Sequence, residues 1–196
     1  LILQRTLVDE RPTTFEDCVA WARLKFETLF NNQIRQLLHN FPEDQITSSG
    51  TKFWSGSKRC PKALTFDLDD KDEDAGMRNC FDFVVAAANL RAEMYGIKGK
   101  TDEEYFRQTL KDVIVPDYQP EAGVKIAAND AEEEKNNEPM DTGDAEADEI
   151  WGSLPKPSEL AGFRLAGIEF DKDVDEHMLF VTACSNLSLI NNLRYP

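Results

Sequence analysis

Apolar residues recur at three- and four-residue spacing through Phe15, Cys18, Val19, Ala22, Phe26, Leu29 and Phe30, which predicts an amphipathic helix. Thr13-Thr14-Phe15-Glu16 has the form of a capping box, with a threonine accepting from the helix backbone and Glu16 reaching back. Asn31-Asn32 is expected to break and recap the helix. Ile34, Leu37 and Leu38 then continue on a shorter one that Phe41-Pro42 stops. A small-residue turn follows at Thr47-Ser48-Ser49-Gly50. Next comes Phe53-Trp54-Ser55-Gly56-Ser57-Lys58-Arg59, an aromatic, glycine and cation cluster closed by Pro61. Ala63 to Phe66 predicts a short strand.

Cys80 to Tyr95 predicts a second helix, with Phe83, Val84, Ala87, Leu90 and Met94 on one face and Gly96 as its stop. Thr101-Asp102-Glu103-Glu104 opens a third, closed by Val113-Ile114-Val115-Pro116. Val124 to Ile126 and Phe163 to Phe170 predict strands, the latter after order returns at Ile150-Trp151. Between them, Ala127 to Glu149 has almost no large apolar residue and is expected to be disordered. The class is therefore mainly α: α+β with a few short strands.

One internal echo is visible. Phe83-Val84-Val85-Ala86-Ala87-Ala88-Asn89-Leu90 aligns without a gap on Phe180-Val181-Thr182-Ala183-Cys184-Ser185-Asn186-Leu187. Each copy follows a Phe-Asp pair, Phe66-Asp67 or Phe170-Asp171, and an acidic loop. Small residues beside one apolar face suit a helix packed closely on a neighbour, and two similar buried helices account for the echo equally well. Met178, Phe180, Val181, Cys184, Leu187 and Leu189 form the apolar face of the last helix. That face either awaits a partner outside the chain or folds back on Cys80 to Tyr95.

The chain has 196 residues, 41% of them hydrophobic, and a formal charge of −15. The acidity is local. Asp67 to Asp74 carries six acids and one base, and Ala127 to Glu149 carries ten acids and one base. The remainder is close to neutral, and acidic loops repel phosphate backbones, so nucleic acid is an unfavoured partner. No apolar run approaches the ~20 residues of a membrane span. Leu1-Ile2-Leu3-Gln4-Arg5 lacks the apolar region of a secretory signal, and with no initiator methionine the chain reads as a fragment.

Cys18, Cys60, Cys80 and Cys184 form no CxxC pair, and His39 and His177 stand at no metal-ligand spacing from them. Reduced thiols in a cytoplasmic or nuclear protein are expected. Asp67, Asp69, Asp70, Asp72 and Asp74 suggest calcium, but the loop pattern needs Gly sixth and Glu twelfth, where Asp72 and Arg78 stand. Cys60 is the best nucleophile on chemistry, since Lys58 and Arg59 precede it in a loop, yet no histidine pairs with it. Cys18 and Cys184 sit on apolar faces, as core residues do. No glycine-rich turn follows a strand, and no acid-and-cation set for ATP is evident.

Residues Asn31 to Asp67 read NNQIRQLLHNFPEDQITSSGTKFWSGSKRCPKALTFD. This block resembles, nearly residue for residue, the second catalytic-cysteine half-domain of eukaryotic ubiquitin-activating enzymes, the first enzymes of the ubiquitin cascade. FWSGxKRxP resembles the ubiquitin branch in particular. The resemblance implies that residues 1–126 belong to the half-domain after its nucleophile. An acidic loop follows at 127–149, a return segment at 150–171, and the first helix of the returning adenylation domain at 172–196. It places Trp21-Ala22-Arg23-Leu24-Lys25-Phe26-Glu27 on the second of two related helices, so the catalytic cysteine is expected before Leu1. No catalytic, cofactor-binding or metal-binding residue is then expected in the chain. ATP and magnesium serve the full enzyme on another domain.

The same resemblance implies ubiquitin, the adenylation domain and, transiently, a ubiquitin-conjugating enzyme as partners. Phe53-Trp54 with Lys58-Arg59 either anchors its own loop or faces the adenylation domain or ubiquitin. After Ser185-Asn186-Leu187 the family continues Arg-Ala, whereas this chain reads Ser188-Leu189-Ile190, an end expected from a shifted reading frame or truncated gene. The first copy keeps the motif, as Asn89-Leu90-Arg91-Ala92. The rival expectation is a non-enzymatic interaction module whose acidic loop meets basic partners.

Overall fold

The computed structural model describes residues 5–56, 58–68, 75–127, 152, 155–156 and 165–191. Five α-helices stand out among them: α1 (Phe15–Phe26), α2 (Gln33–Asn40), α3 (Ala75–Met94), α4 (Glu103–Lys111) and α5 (Asp175–Ile190). None is long and apolar enough to cross a membrane. The calcium-like Asp69 to Asp74 run and almost all of the 127–149 stretch lie outside the described residues.

A capping box does start α1, one residue later than the pattern predicts. The Thr14 hydroxyl accepts from Asp17 N at 3.3 Å, and Asp17 Oδ2 accepts from Thr14 N at 2.8 Å. Thr13 donates to the same oxygen through both N and Oγ1. Glu16 is not the reciprocal acid: its carboxylate accepts from the Tyr105 hydroxyl of α4, joining two helices. Against the cost of desolvation, the Thr13 and Thr14 donors hold the Asp17 carboxyl below its ordinary range.

The expected break at Asn31-Asn32 does not occur. Glu27–Asn32 continues the helix as a π-helical turn, with Asn32 itself in helical conformation. The wider turn keeps residues four apart on one face, so Phe26, Phe30 and Ile34 are all buried. The Phe30 carbonyl accepts from Leu64 N at 2.9 Å. Asn31 is used as a side chain, donating to Glu27 Oε2 at 2.6 Å. Glu27 also holds Arg23 in a buried ion pair at 2.5 Å, with the guanidinium 4.5 Å over the Phe66 ring.

The central element is α3, whose buried Phe83, Val84, Ala86, Ala87 and Ala88 let other helices approach closely. On the α1 side, Phe26 and Phe30 meet Phe83 while Trp21 meets Arg91, so the two helices run antiparallel. On the α5 side, Phe180 meets Phe83 and Asn186 donates to Asn79 Oδ1, again an antiparallel pairing. Of the two fates open to the last helix, folding back on α3 is the one observed. Ala183 and Leu187 join the core, while Met178, Val181 and Leu189 stay exposed. The echoed octets therefore meet only at their first residues, the equivalent Phe83 and Phe180, and the antiparallel pairing carries the rest of each octet away from the other.

Gly96 ends α3 at φ +68°, with Gly96 N bonded to Glu93 O and Ile97 N to Ala92 O. Asn89 then clamps the next loop, accepting from Lys100 N and donating to Lys100 O. A Cβ on Gly99 would stand 2.2 Å from Asn89 Oδ1, so any larger residue there displaces the Asn89 side chain from its clamp. Asp102 caps α4 by accepting from Tyr105 N at 2.7 Å, and Phe106 and Leu110 carry α4 into the core.

The protein is thus mostly helical. The described residues contain one isolated antiparallel bridge, Ile46 with Lys52, and no strand at 63–66, 124–126 or 165–170. Extended backbone there finds helix partners instead. Leu64 N donates to Phe30 O, Ala166 N to Met94 O, and Val124 O accepts from the Asn40 amide. Each of these segments thus has one backbone group bonded to a helix.

Candidate functional site

Proline at 42 ends α2 and turns the chain into the aromatic–cation loop. Backbone bonds Gln45 N to Pro42 O, Thr47 N to Thr51 O and Phe53 N to Gln45 O close it on itself. Gly50 (φ +80°) and Gly56 (φ +64°) supply the left-handed turns. Phe53 stacks on Phe41 at 4.7 Å, and Trp54 stands edge-on to Phe53 at 4.9 Å. The Trp54 indole N–H reaches the Phe41 and Pro42 carbonyls, each at 3.0 Å. The half-buried aromatics therefore anchor the loop to the end of α2. The cations do not follow them inward: Lys52, Lys58, Arg59 and Lys62 are exposed, with Lys58 Nζ 4.8 Å over Phe53.

No disulfide joins any of the four cysteines. Burial pushes the Cys18 thiol up to about 11, Cys80 to about 12 and Cys184 to about 11. Cys60 is only partly buried, yet desolvation and then the Glu43 carboxylate raise it too, so Lys58 and Arg59 do not produce a thiolate. Its sulfur approaches Pro61 O at 3.8 Å. All four sit as protonated thiols at neutral pH. Among the described residues no three His, Cys, Asp or Glu side chains converge as metal ligands.

An open cleft of about 1200 Å³ lies between the π-helical turn, α2 and α5, walled by Leu29, Ile34, Leu37, Tyr118, Cys184 and Leu189. None of its lining residues is charged. Its far wall depends on Gln36. That amide donates to Glu121 O and accepts from Tyr118 OH and Glu121 N, tying a chain segment 85 residues away to α2. Sequence periodicity does not point to Gln36, because a polar residue between apolar positions reads as a solvated one. The signal that was present is an amide in the middle of a helix beside apolar residues.

A family model described as the ubiquitin-activating enzyme SCCH domain matches residues 2–191, which takes in all five helices. The chain belongs to the ubiquitin-activating enzyme SCCH-domain family. Ubiquitin-activating enzyme E1 1 of Candida albicans is 48% identical over 189 residues, 94% of this chain and 18% of the relative. The human ubiquitin-like modifier-activating enzyme 1 is 46% identical over 191 residues, 96% of this chain and 17% of the relative. Ubiquitin-activating enzyme E1 1 of Triticum aestivum is 37% identical over 186 residues. The chain spans under a fifth of the length of these relatives. The SCCH match continues to Asn191, past Ser188-Leu189-Ile190.

Proposed function

We propose that this SCCH chain is the positioning part of a ubiquitin-activating enzyme. That enzyme adenylates the ubiquitin C-terminus with ATP and magnesium, transfers it to a catalytic cysteine as a thioester, and passes it to a conjugating enzyme. The chain's role is to form one wall of the cleft between cysteine and adenylation domains, and to hold geometry rather than supply a reacting group. The observation that carries this reading is the state of the thiols. An acceptor cysteine needs an accessible, stabilised thiolate, and burial or a nearby carboxylate raises all four here. Family membership and the buried three-helix centre support it. The four unbridged cysteines support a reducing compartment, the cytoplasm and nucleus.

The test is a thioester assay with ubiquitin, ATP and magnesium. The isolated chain should form no reducing-agent-sensitive ubiquitin adduct. Placed in the human relative in exchange for the matched segment, it should sustain adduct formation. An adduct on the isolated chain that disappears on Cys60→Ala overturns the positioning role. A folded chimera that activates ubiquitin no faster than a chimera lacking the segment overturns the enzyme reading.

A further inference from the structure

We infer that residues 114–126 form a strap latched shut by one side chain, Gln36, and that the strap opens as a unit while the helical core stays folded. The segment follows α4 and carries neither helix nor strand. None of its residues is buried or joins the hydrophobic core, and Ile114 is 87% exposed, so little apolar area opposes release. It also borders two hollows. Tyr118 and Ile126 wall the large uncharged cleft. Val115 to Tyr118 line a second space of about 340 Å³ together with Arg35 and Phe66.

Four hydrogen bonds join the strap to the other described residues, and three of them end on Gln36. Gln36 Oε1 accepts from Tyr118 OH at 2.8 Å and from Glu121 N at 2.9 Å, and Nε2 donates to Glu121 O at 2.9 Å. The fourth runs from Asn40 Nδ2 to Val124 O at 2.6 Å. Gln36 Nε2 also donates to Asn40 Oδ1, which joins the two amides. Both lone pairs and both N–H groups of Gln36 are therefore in use, and only while the strap is shut. Arg35 adds a cation–π contact, 5.6 Å from the Tyr118 ring. The attachment is concentrated at one buried amide, so its loss releases the Tyr118 and Glu121 contacts together instead of letting the segment fray residue by residue. Opening takes Tyr118 and Ile126 out of the cleft wall, which makes the strap a gate on the space between α2 and α5. This device is independent of the thioester chemistry, so its test and the one above can fail separately.

The test is native-state hydrogen exchange and trypsin cleavage on the intact 196-residue chain. The Glu121 amide should be protected and should exchange through a local opening with little urea dependence. The Val84 amide, in the core of α3, should exchange only through global unfolding, with a steep urea dependence. Gln36→Ala keeps a good helix former in α2 and removes three strap bonds. It should speed cleavage after the exposed Lys125 at least about tenfold, with the helical circular dichroism unchanged. Asn40→Ala removes the bond nearest Lys125, yet should speed that cleavage less than Gln36→Ala does. A greater effect of Asn40→Ala overturns the proposal, because the segment then frays from its end. Cleavage unchanged by Gln36→Ala overturns it as well. The parent chain alone also decides, whether or not the variants fold: an unprotected Glu121 amide, or one with the urea dependence of Val84, shows that no latched strap opens apart from the core.

Discussion

The four thiols show how burial governs reactivity in one residue type. Cys18 and Cys80 lie in the core, and desolvation raises each thiol far above its ordinary value, Cys80 to about 12. The sign of the pH dependence follows from that shift. The unfolded chain releases these protons near about pH 8.5, the folded chain only at about 11–12. Stability from the neutral thiols is therefore complete below about pH 8.5 and lost as pH rises toward the folded values. The thermal midpoint should be flat from about pH 7 to 8.5 and fall above it. Cys80→Ala should lower the midpoint at neutral pH and flatten its alkaline decline. An unchanged decline in that variant would assign alkaline unfolding to other groups; Tyr95, also raised by burial, is the first to examine.

Among the elements, the start of α1 separates two acids that the sequence pattern does not. Asp17 closes the capping box and gathers three donors from Thr13 and Thr14, while Glu16 reaches across to α4. Thr14→Ala or Asp17→Ala should each cost about 1 kcal/mol, the usual worth of an N-cap. Glu16→Gln should cost well under that, since its carboxylate is exposed and an amide oxygen can still accept from Tyr105. Urea unfolding of the three variants decides the matter, and a larger loss at Glu16 than at Asp17 would move the box back to the position that periodicity predicts.

For the whole molecule the decisive contact is α3 with α5. If the last helix only awaited an outside partner, ending the chain at Asp171 would leave the core's thermal midpoint nearly unchanged and improve solubility. The packing gives the opposite expectation. Removal of α5 strips Ala183 and Leu187 from the core and uncovers Phe83 and its neighbours. Leu187→Ala alone should cost about 2–5 kcal/mol, the range for emptying a buried leucine site. The Asp171-terminated chain should melt lower and with less cooperativity by calorimetry. A retained sharp transition at the parent midpoint would show that α5 is an appendage. Met178, Val181 and Leu189 remain exposed with α5 docked on α3.

Local interactions within one segment were readable in advance. The apolar periodicity of α1, α2 and α3, the Gly96 stop, the Asp102 start of α4 and the aromatic loop all follow from residues a few positions apart, except that Leu29, which the period groups with the apolar face, is exposed. The family, too, was legible in the Asn31–Asp67 block, because a fixed order of unusual residues carries it without reference to packing. Three-dimensional neighbours decided the rest. Asn31-Asn32 reads as a break until Leu64 takes the Phe30 carbonyl and Glu27 takes the Asn31 amide. Ala63 to Phe66 reads as a strand, but its Leu64 N–H is already used by a helix carbonyl. Cys60 reads as activated by the two cations before it, although desolvation and Glu43, 17 positions away, push its thiol up. Periodicity shows which face of a segment is apolar; which partner covers that face, and which charge stands nearest a thiol, depend on segments distant in the chain.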